Sequence, residues 1–208
     1  MSEPSIIVIS APSGAGKSTV LDRLLREVEG LRFSVSHTTR SPRGDEVEGI
    51  HYRFVTREGF EELRRKELLL ESASVHGELY GTGRAEIEAA RRDGVDLLLD
   101  LDVQGAEQVR AAIPDAVSVF LLPPSYGDLE KRLRGRGQDD ETTIRRRLAR
   151  AAEEVSLYEE YDHVVVNDQL DVCVATVKSV IVAARCRTSR IGVRARRILE
   201  TFVSKKET

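Results

Sequence analysis

A glycine-rich segment near the start of the chain has the residue types of a phosphate-binding loop. It reads Ala-Pro-Ser-Gly-Ala-Gly-Lys-Ser over residues 11–18, and glycines allow backbone N–H groups to turn inward around phosphate oxygens. Lys17 can reach the β- and γ-phosphates of a nucleoside triphosphate, and the Ser18 hydroxyl can ligate Mg²⁺. Ala11 stands where the strict pattern has glycine, but the segment directly follows an apolar, β-branched run at 5–10. The predicted triphosphate site comprises Ala11, Pro12, Ser13, Gly14, Ala15, Gly16, Lys17, Ser18 and Thr19.

An acidic residue ends a second apolar run, Val-Asp-Leu-Leu-Leu-Asp over residues 95–100. The carboxyl ends of parallel strands meet at one edge of a sheet, so Asp100 is expected near the phosphate loop. A single aspartate at the end of a strand is often only a turn residue. Because the loop is present, we favour a place for Asp100 beside Mg²⁺, either directly or through water, with Ser18 as the other metal ligand.

Two arginines and a proline lie close together in Ser-His-Thr-Thr-Arg-Ser-Pro-Arg, residues 36–43. Arg40 and Arg43 could grip a phosphate monoester, because the planar guanidinium matches phosphate oxygens. Tyr52 could add a hydroxyl, and Glu46 could hold the arginines in place. From these residues alone, a solvated charged turn is an equally good interpretation.

The elements that must position these groups alternate between strand and helix patterns. Buried strands are predicted at 5–10, 95–100, 116–122 and 163–166, and helices at 18–28, 84–92, 103–113, 129–134, 141–160 and 169–184. Short alternating segments at 34–38, 51–55 and 68–73, with a helix near 58–66, indicate a small antiparallel insertion. The alternation predicts an α/β fold with a doubly wound parallel sheet covered by helices on both faces.

Composition favours one α/β domain and excludes several other classes. The chain has 208 residues, 40% of them hydrophobic, and a formal net charge of −3. This charge gives no sign of a nucleic-acid partner. No apolar segment approaches the roughly 20 residues that cross a membrane, and no signal-peptide pattern is present. Cys173 and Cys186 lack metal-ligand spacing, which favours a reduced, cytoplasmic protein.

The C-terminal segment after residue 185 is basic and carries an apolar stripe at helical spacing. The stripe predicts a surface or subunit-contact helix, through which the chain could form a homo-oligomer. Nucleic-acid binding by the arginines of this tail is the less favoured alternative.

Six segments resemble guanylate kinases and follow that family's order at similar spacing. They are the phosphate loop at 10–18, the GMP-binding signature at 35–54, and the segments 80–82, 100–105, 132–137 and 166–168. The resemblance extends from about residue 5 to residue 185. It implies a P-loop NTPase fold and an enzyme that transfers the γ-phosphoryl group of ATP to GMP, giving GDP and ADP in purine nucleotide metabolism. One departure is Asp45, which stands where the family commonly has glycine.

The resemblance also implies an organisation of the chain. Residues 1–32, 84–134 and 161–208 are expected to form the core and C-terminal tail. Residues 33–83 are expected to form the mixed antiparallel GMP-binding region, and 135–160 the helical lid with its following helix.

Roles carry over to the matching positions. The residues expected around the GMP phosphate are Arg40, Arg43, Glu46, Tyr52 and Tyr80. Those expected around guanine are Ser36, Glu71, Thr82 and Asp102. The expected catalytic groups are Lys17, Arg40, Arg132, Arg136 and Arg147. Asn167 is expected near the adenine of ATP, whereas Arg134 and Arg145 are expected on solvated helix faces.

The implied base site is chemically consistent with guanine. Guanine presents N–H donors at N1 and N2, which the carboxylates of Glu71 and Asp102 can accept, and an acceptor at O6 for the hydroxyls of Ser36 or Thr82. Adenine reverses the polarity at position 6 and lacks the N2 amine, so discrimination could reach the order of 10⁴-fold. The resemblance implies GMP as the acceptor, with dGMP as an alternative.

Particular residues disfavour three alternative functions. An interaction module of the same fold would be expected to have a degraded phosphate loop, whereas Lys17 and Ser18 are present. A GTPase would carry an Asn-Lys-x-Asp signature, and residues 166–169 lack its lysine. A kinase for a base-free phosphate ester would not need Glu71 together with Asp102.

Overall fold

A computed structural model of the protein describes residues 4–75, 77–135, 137 and 140–203. Its strands are β1 (Ile6–Ser10), β2 (Leu31–Phe33), β3 (His37–Thr38), β4 (Arg53–Phe54), β5 (Leu69–Val75), β6 (Glu78–Gly83), β7 (Asp96–Asp100), β8 (Val117–Leu122) and β9 (His163–Val166). Its α-helices are α1 (Lys17–Glu27), α2 (Arg57–Arg65), α3 (Arg84–Asp93), α4 (Val103–Ala112), α5 (Tyr126–Gly135), α6 (Glu141–Val155), α7 (Leu170–Arg185) and α8 (Thr188–Val203).

The centre of the fold is a five-stranded parallel sheet with the order β2-β7-β1-β8-β9. All five residues of β1 are buried, as expected for an apolar, β-branched strand between two helical layers. On one face, Val20 and Leu24 of α1 pack with Val177 of α7. On the other face, Ile87 of α3 and Val109 of α4 pack against the sheet. The predicted α/β architecture is confirmed.

The helices that follow β1 and β7 begin at the same edge of this sheet. β1 pairs with β7 in parallel, with Ile9 opposite Asp100. The chain leaves β1 through the phosphate loop into α1, and it leaves β7 through Asp102 into α4. This register brings the phosphate loop and the acidic end of β7 together.

The segment between β2 and α3 forms a second, smaller sheet with the order β4-β3-β6-β5. β3 pairs with β4 in parallel, whereas β6 pairs antiparallel with both β3 and β5. Phe60 of α2 is fully buried and packs with Leu69 and Leu79, which fixes the helix on this sheet. Thr56 caps α2 by accepting a hydrogen bond from the Gly59 amide at 3.1 Å.

α5 and α6 form a helical pair beside the phosphate loop. Their contact consists of Leu129, Leu133, Ile144, Leu148 and Ala151. The apolar residues of α6 recur at helical spacing and leave another face of this helix to charged side chains. That face lines the cleft above the loop.

α8 is anchored at its start and exposed along its length. The buried Arg190 donates hydrogen bonds to the carbonyls of Pro4 at 2.7 Å and Asp115 at 3.0 Å. Towards the end of the helix, Ile198, Leu199 and Phe202 are 51%, 62% and 67% exposed.

The structure differs from the predicted elements at four places. β6 was not predicted, although it pairs antiparallel with both β3 and β5 in the smaller sheet. β2 was not predicted; it pairs with β7, and its three residues are too few to show a period. The Ser34 amide donates to the Leu98 carbonyl at 2.9 Å, so Ser34 continues the pairing of β2 with β7. The strand predicted over 34–38 is therefore limited to His37–Thr38. The helix predicted over 141–160 ends at Val155 because the chain tightens into a 3₁₀ turn, Tyr158–Glu160.

Across the described ranges, none of the helices combines the length and apolar character that crossing a bilayer requires.

Candidate active site

The phosphate loop connects the carboxyl end of β1 to the start of α1. Gly14 and Gly16 have φ values of 94° and 92°, which side-chain-bearing residues rarely adopt. The Ala15 amide donates to the Pro12 carbonyl at 3.1 Å and closes the turn. The loop therefore has the backbone freedom to wrap around a phosphate at a helix N-terminus.

Lys17 and Asp100 form an ion pair at the edge of the central sheet. The Lys17 ammonium also donates to the Leu101 carbonyl at 2.9 Å. Both side chains are partly exposed to the cleft. A lysine held in this way is positioned before any phosphate arrives.

Ser18 and Asp100, the two expected magnesium ligands, line one groove together with Glu46 and Tyr52. Hydroxyl and carboxylate oxygens are the donors that Mg²⁺ prefers, and the ion keeps several water ligands. No cluster of three or more His, Cys, Asp or Glu side chains suited to a metal occurs within the described ranges. The hydroxyl of Ser18 and the carboxylate of Asp100 are donors that fit Mg²⁺.

Three of the predicted ATP-side residues contact the phosphate loop. Arg132 of α5 donates to the carbonyls of Ala15 at 3.1 Å and Asn167 at 2.8 Å. The Asn167 amide also donates to the Ala15 carbonyl at 2.7 Å. Arg147 of α6 donates to the Ser13 hydroxyl at 2.7 Å. Arg136 lies outside the described residues.

Arg134 and Arg145 are exposed, as expected for solvated helix faces. Arg134 nevertheless bridges two helices, since it pairs with Glu130 of α5 at 2.8 Å and with Glu141 of α6 at 2.6 Å. Arg145 pairs with Glu141 at 3.4 Å.

Arg40 is a buried arginine that contacts several of the residues predicted around the GMP phosphate. Arg40 forms a two-pronged pair with Glu46 at 2.8 and 2.9 Å, and its Nε donates to the Tyr80 hydroxyl at 3.2 Å. Its guanidinium carbon lies 5.3 Å from the centre of the Tyr52 ring. Hydrogen bonds from Arg40 hold the pKa of Glu46 below its usual value. Four of the five predicted phosphate ligands, Arg40, Glu46, Tyr52 and Tyr80, thus lie together, whereas the side chain of Arg43 is exposed.

The Arg43 turn explains how the chain accommodates Asp45. The Glu46 carboxylate accepts a hydrogen bond from the Arg43 amide at 2.8 Å, and the Glu46 amide donates to the Arg43 carbonyl at 3.1 Å. Gly44 takes the left-handed conformation, with φ of 52°, and Asp45 does not. The glycine needed by the turn is therefore one position earlier than in the family pattern.

Two carboxylates face each other in the pocket expected to hold a base. Glu71 on β5 is only 4% exposed, and its Oε1 accepts a hydrogen bond from the Thr82 amide at 2.7 Å. Asp102 caps α4, since its Oδ1 accepts from the Gly105 amide at 2.9 Å. A Cβ atom at Gly105 would lie 2.7 Å from Glu71 Oε2, so only glycine allows this approach. Ser36, Tyr52 and Tyr80 line the same cavity.

Burial raises the pKa of Glu71 to about 7. Contacts with Thr82 oppose this rise, and the negative charge of Asp102 adds to it. The carboxyl group can therefore change its protonation state near neutral pH.

The two pockets adjoin. The first is lined by the phosphate loop and by arginines of α6, the second by Glu71 and the two tyrosines, and Lys17, Val75 and Asp102 line both. A ligand bound at the phosphate loop and a ligand bound beside Glu71 would therefore meet at Lys17 and Asp102. Such an arrangement is suited to phosphoryl transfer between two bound anions.

Sequence reasoning missed several residues of this cleft. Gly105 was not singled out, because its role depends on the approach of Glu71 from another strand. Arg150 and Glu154 line the first pocket beside Arg147. Their spacing of three and four residues on α6 was a usable signal, but the many arginines of that segment obscured it.

Comparison with known proteins gives consistent matches. A family model described as guanylate kinase matches residues 3–184. The chain is 47% identical over 192 residues to the guanylate kinase of Escherichia coli K12, which covers 91% of this chain and 93% of that protein. The guanylate kinase of Shigella sonnei is equally similar. A crystal structure of guanylate kinase from Anaplasma phagocytophilum matches with a TM-score of 0.76 and 36% identity over 94% of both chains.

Proposed function

Since the chain belongs to the guanylate kinase family, we propose that its two adjoining pockets bind ATP and GMP and transfer the γ-phosphoryl group between them. The observation that carries this assignment is that a complete phosphate loop adjoins a second pocket, whose wall includes the carboxylates of Glu71 and Asp102 and the hydroxyl of Tyr80, which accepts a hydrogen bond from Arg40. The expected products are ADP and GDP.

In this proposal, the acceptor pocket holds GMP at both ends. Arg40 binds the phosphate, with Arg43, Tyr52 and Tyr80 around it, while Glu46 keeps the guanidinium in place. Ser36, Thr82, Glu71 and Asp102 surround guanine. The two carboxylates accept hydrogen bonds from N1 and N2, so a base without these donors leaves buried carboxylates unpaired.

The reaction requires alignment more than acid–base chemistry. An oxygen of the GMP phosphate attacks the γ-phosphorus of ATP, and the bond from that phosphorus to the β–γ bridging oxygen breaks. The nucleophile is largely ionised at neutral pH, because the second pKa of a phosphate monoester is about 6. No general base is therefore needed.

Positive groups around the loop offset the charge that spreads over the transferring group. Lys17 exchanges its contacts with Asp100 and the Leu101 carbonyl for phosphate oxygens. Arg147, Arg132 and, by family resemblance, Arg136 supply further positive charge from the lid side. Ser18 and Asp100 would hold Mg²⁺, which when bound would neutralise part of the charge on the phosphates. Asn167 and Thr19 complete the proposed ATP site.

Three finer assignments are also part of the proposal. The exposed apolar residues Ile198, Leu199 and Phe202 support α8 as a contact between subunits. The unpaired Cys173 and Cys186 support a reducing, cytoplasmic compartment. We propose no nucleic-acid partner, and salt-sensitive retention of the protein on RNA would contradict this.

The test is to mix the protein with ATP and Mg²⁺ and with each of GMP, dGMP, AMP, CMP and UMP, and to follow ADP formation. We expect turnover with GMP and none of comparable rate with AMP, CMP or UMP. Lys17→Met should lower kcat on the order of 10³-fold, because it removes a cation at the transferring phosphate. ADP formation that is independent of the acceptor, or equal with AMP, would reject the proposal.

A further inference from the structure

One face of α6 points into the cleft between the phosphate loop and α4. Arg147, Arg150 and Glu154 follow each other at intervals of three and four residues, and all three line the first pocket. Arg147 contacts the loop through the Ser13 hydroxyl. Arg150 lies one turn further along the helix, where the cleft wall is Asp102.

The two carboxylate oxygens of Asp102 differ in their hydrogen bonding. Oδ1 accepts the capping hydrogen bond from the Gly105 amide. Oδ2 is buried and makes no hydrogen bond within the part of the chain that the structure describes. A buried carboxylate oxygen without a partner is costly, so a ligand donor or a nearby cation is needed.

Arg150 supplies the nearby cation. One guanidinium nitrogen of Arg150 lies 3.7 Å from Asp102 Oδ2, which is ion-pair distance but too long for a hydrogen bond. Its Nε donates to the Glu154 carboxylate at 2.8 Å, and Glu154 is itself buried. Glu154 thus fixes the guanidinium while leaving Asp102 Oδ2 free to accept from a ligand.

The ion pair between Arg150 and Asp102 connects the two substrate pockets. Arg150 belongs to the helix that carries the ATP-side Arg147, but its charge acts on a carboxylate that also lines the base pocket. Glu71 lies in that pocket too, so the negative charge of two neighbouring carboxylates needs to be offset there.

We propose that Arg150 is a positioning residue for guanine recognition, which orients Asp102 Oδ2 and offsets its charge without touching either nucleotide. This inference rests on the proposed function, because it assumes that Asp102 accepts a hydrogen bond from guanine. It further makes α6 a link through which the ATP-side helix sets the affinity for GMP.

The test measures KM for each substrate separately in Arg150→Gln. We expect KM for GMP to rise about tenfold, within the range of coupling between residues in contact, with KM for ATP and kcat changed by less than about twofold. Arg150→Lys keeps the charge and should recover part of the GMP affinity. Arg145→Gln is the matched control, since it removes one arginine from the same helix at an exposed position and should leave both KM values unchanged.

A double-mutant cycle separates positioning from mere structural support. Asp102→Asn preserves the helix cap, because the amide oxygen can still accept from Gly105. If Arg150 acts through Asp102, Arg150→Gln added to Asp102→Asn should raise KM for GMP by less than about twofold. Equal effects of Arg150→Gln in both backgrounds would overturn the proposal.

Other outcomes also decide the question. A rise in KM for ATP or a loss of kcat, with GMP affinity intact, would show that Arg150 acts on the triphosphate instead. Parallel losses in both KM values, together with a lower Tm than Arg145→Gln, would reduce its role to folding. GMP binding measured by calorimetry without ATP keeps the test independent of turnover. If the wild-type chain binds GMP but makes no ADP, only the proposed function fails.

Discussion

Glu71 should make GMP affinity depend on pH in a way that no other group of the site reproduces. Its carboxyl is 4% exposed, and burial raises its pKa from 4.5 to about 7. Guanine needs an ionised acceptor, because its N1 and N2 groups are donors. GMP binding must therefore remove the proton from Glu71 wherever the free protein carries it.

The magnitude and the sign follow from the pKa. A rise from 4.5 to about 7 corresponds to about 3 kcal/mol in favour of the protonated form. In the free protein this group lowers the free energy of unfolding as pH increases from 4.5 towards 7, because the native state then binds more protons than the unfolded state. GMP should release roughly half a proton at pH 7, and its KM should rise about tenfold between pH 8 and pH 6 from this group alone.

The assay compares the wild-type chain with Glu71→Gln at saturating ATP between pH 5.5 and 8.5. The comparison is necessary because the GMP phosphate itself titrates near pH 6, and that titration is present in both proteins. The glutamine amide can still accept from Thr82, but it cannot titrate. The excess pH dependence of the wild type over the variant should be about tenfold over the two units, with a higher but flatter KM in the variant.

Parallel profiles for the two proteins would refute this reasoning. They would mean that the carboxyl is already ionised across the range, and that burial is compensated by a partner or water outside the described contacts. Calorimetry in two buffers of different ionisation enthalpy gives an independent measure, since proton release appears as a buffer-dependent heat. A wider GMP-to-AMP preference at low pH would also contradict the idea, because a protonated Glu71 can donate to adenine N1.

Two further predictions test the packing around the site and the anchor of the tail. Gly105→Ala should raise KM for GMP at least about tenfold with little change for ATP, because its Cβ would lie 2.7 Å from Glu71 Oε2 and must displace the carboxylate. A normal KM for GMP would contradict the close approach. Arg190→Met should lower the free energy of unfolding by about 2 kcal/mol, because it leaves the Pro4 and Asp115 carbonyls without their donor. Urea unfolding measures this change. An unchanged midpoint would show that water replaces the guanidinium.

The core of the fold was predictable because its signals are local and long enough to show a period. The strand at β1 and the glycines and lysine of the loop are contiguous in sequence, so the strand–loop–helix order can be read directly. β2 was not predicted because three half-buried residues show no hydrophobic period, and its place in the sheet depends on pairing with β7. The end of α6 was misplaced because the choice between α-helix and a 3₁₀ turn depends on tertiary contacts rather than on propensity.

The residues of the candidate site also differ in whether the sequence alone could identify them. The phosphate loop and the Arg40 turn are local motifs, and their chemistry follows from residue types. The base pocket is different, because Glu71, Asp102 and Gly105 come from a strand and a helix that only the fold brings together. Family resemblance could assign Glu71 and Asp102 their roles, whereas the reason for a glycine at 105 and for a guanidinium at 150 required coordinates.

The ion pairs of the site bear on the proposed selectivity for guanine. Lys17 is paired with Asp100, Arg40 with Glu46, and Arg150 with Asp102. The cations are thus held near their working positions, and little reorganisation is needed when phosphates bind. Glu71 is the exception, because within the described residues it makes no ion pair and its buried charge is opposed mainly by desolvation. A ligand that donates hydrogen bonds to Glu71 offsets the desolvation cost of the ionised carboxylate. In the proposed function, guanine has such donors at N1 and N2 and adenine does not, so Glu71 favours guanine.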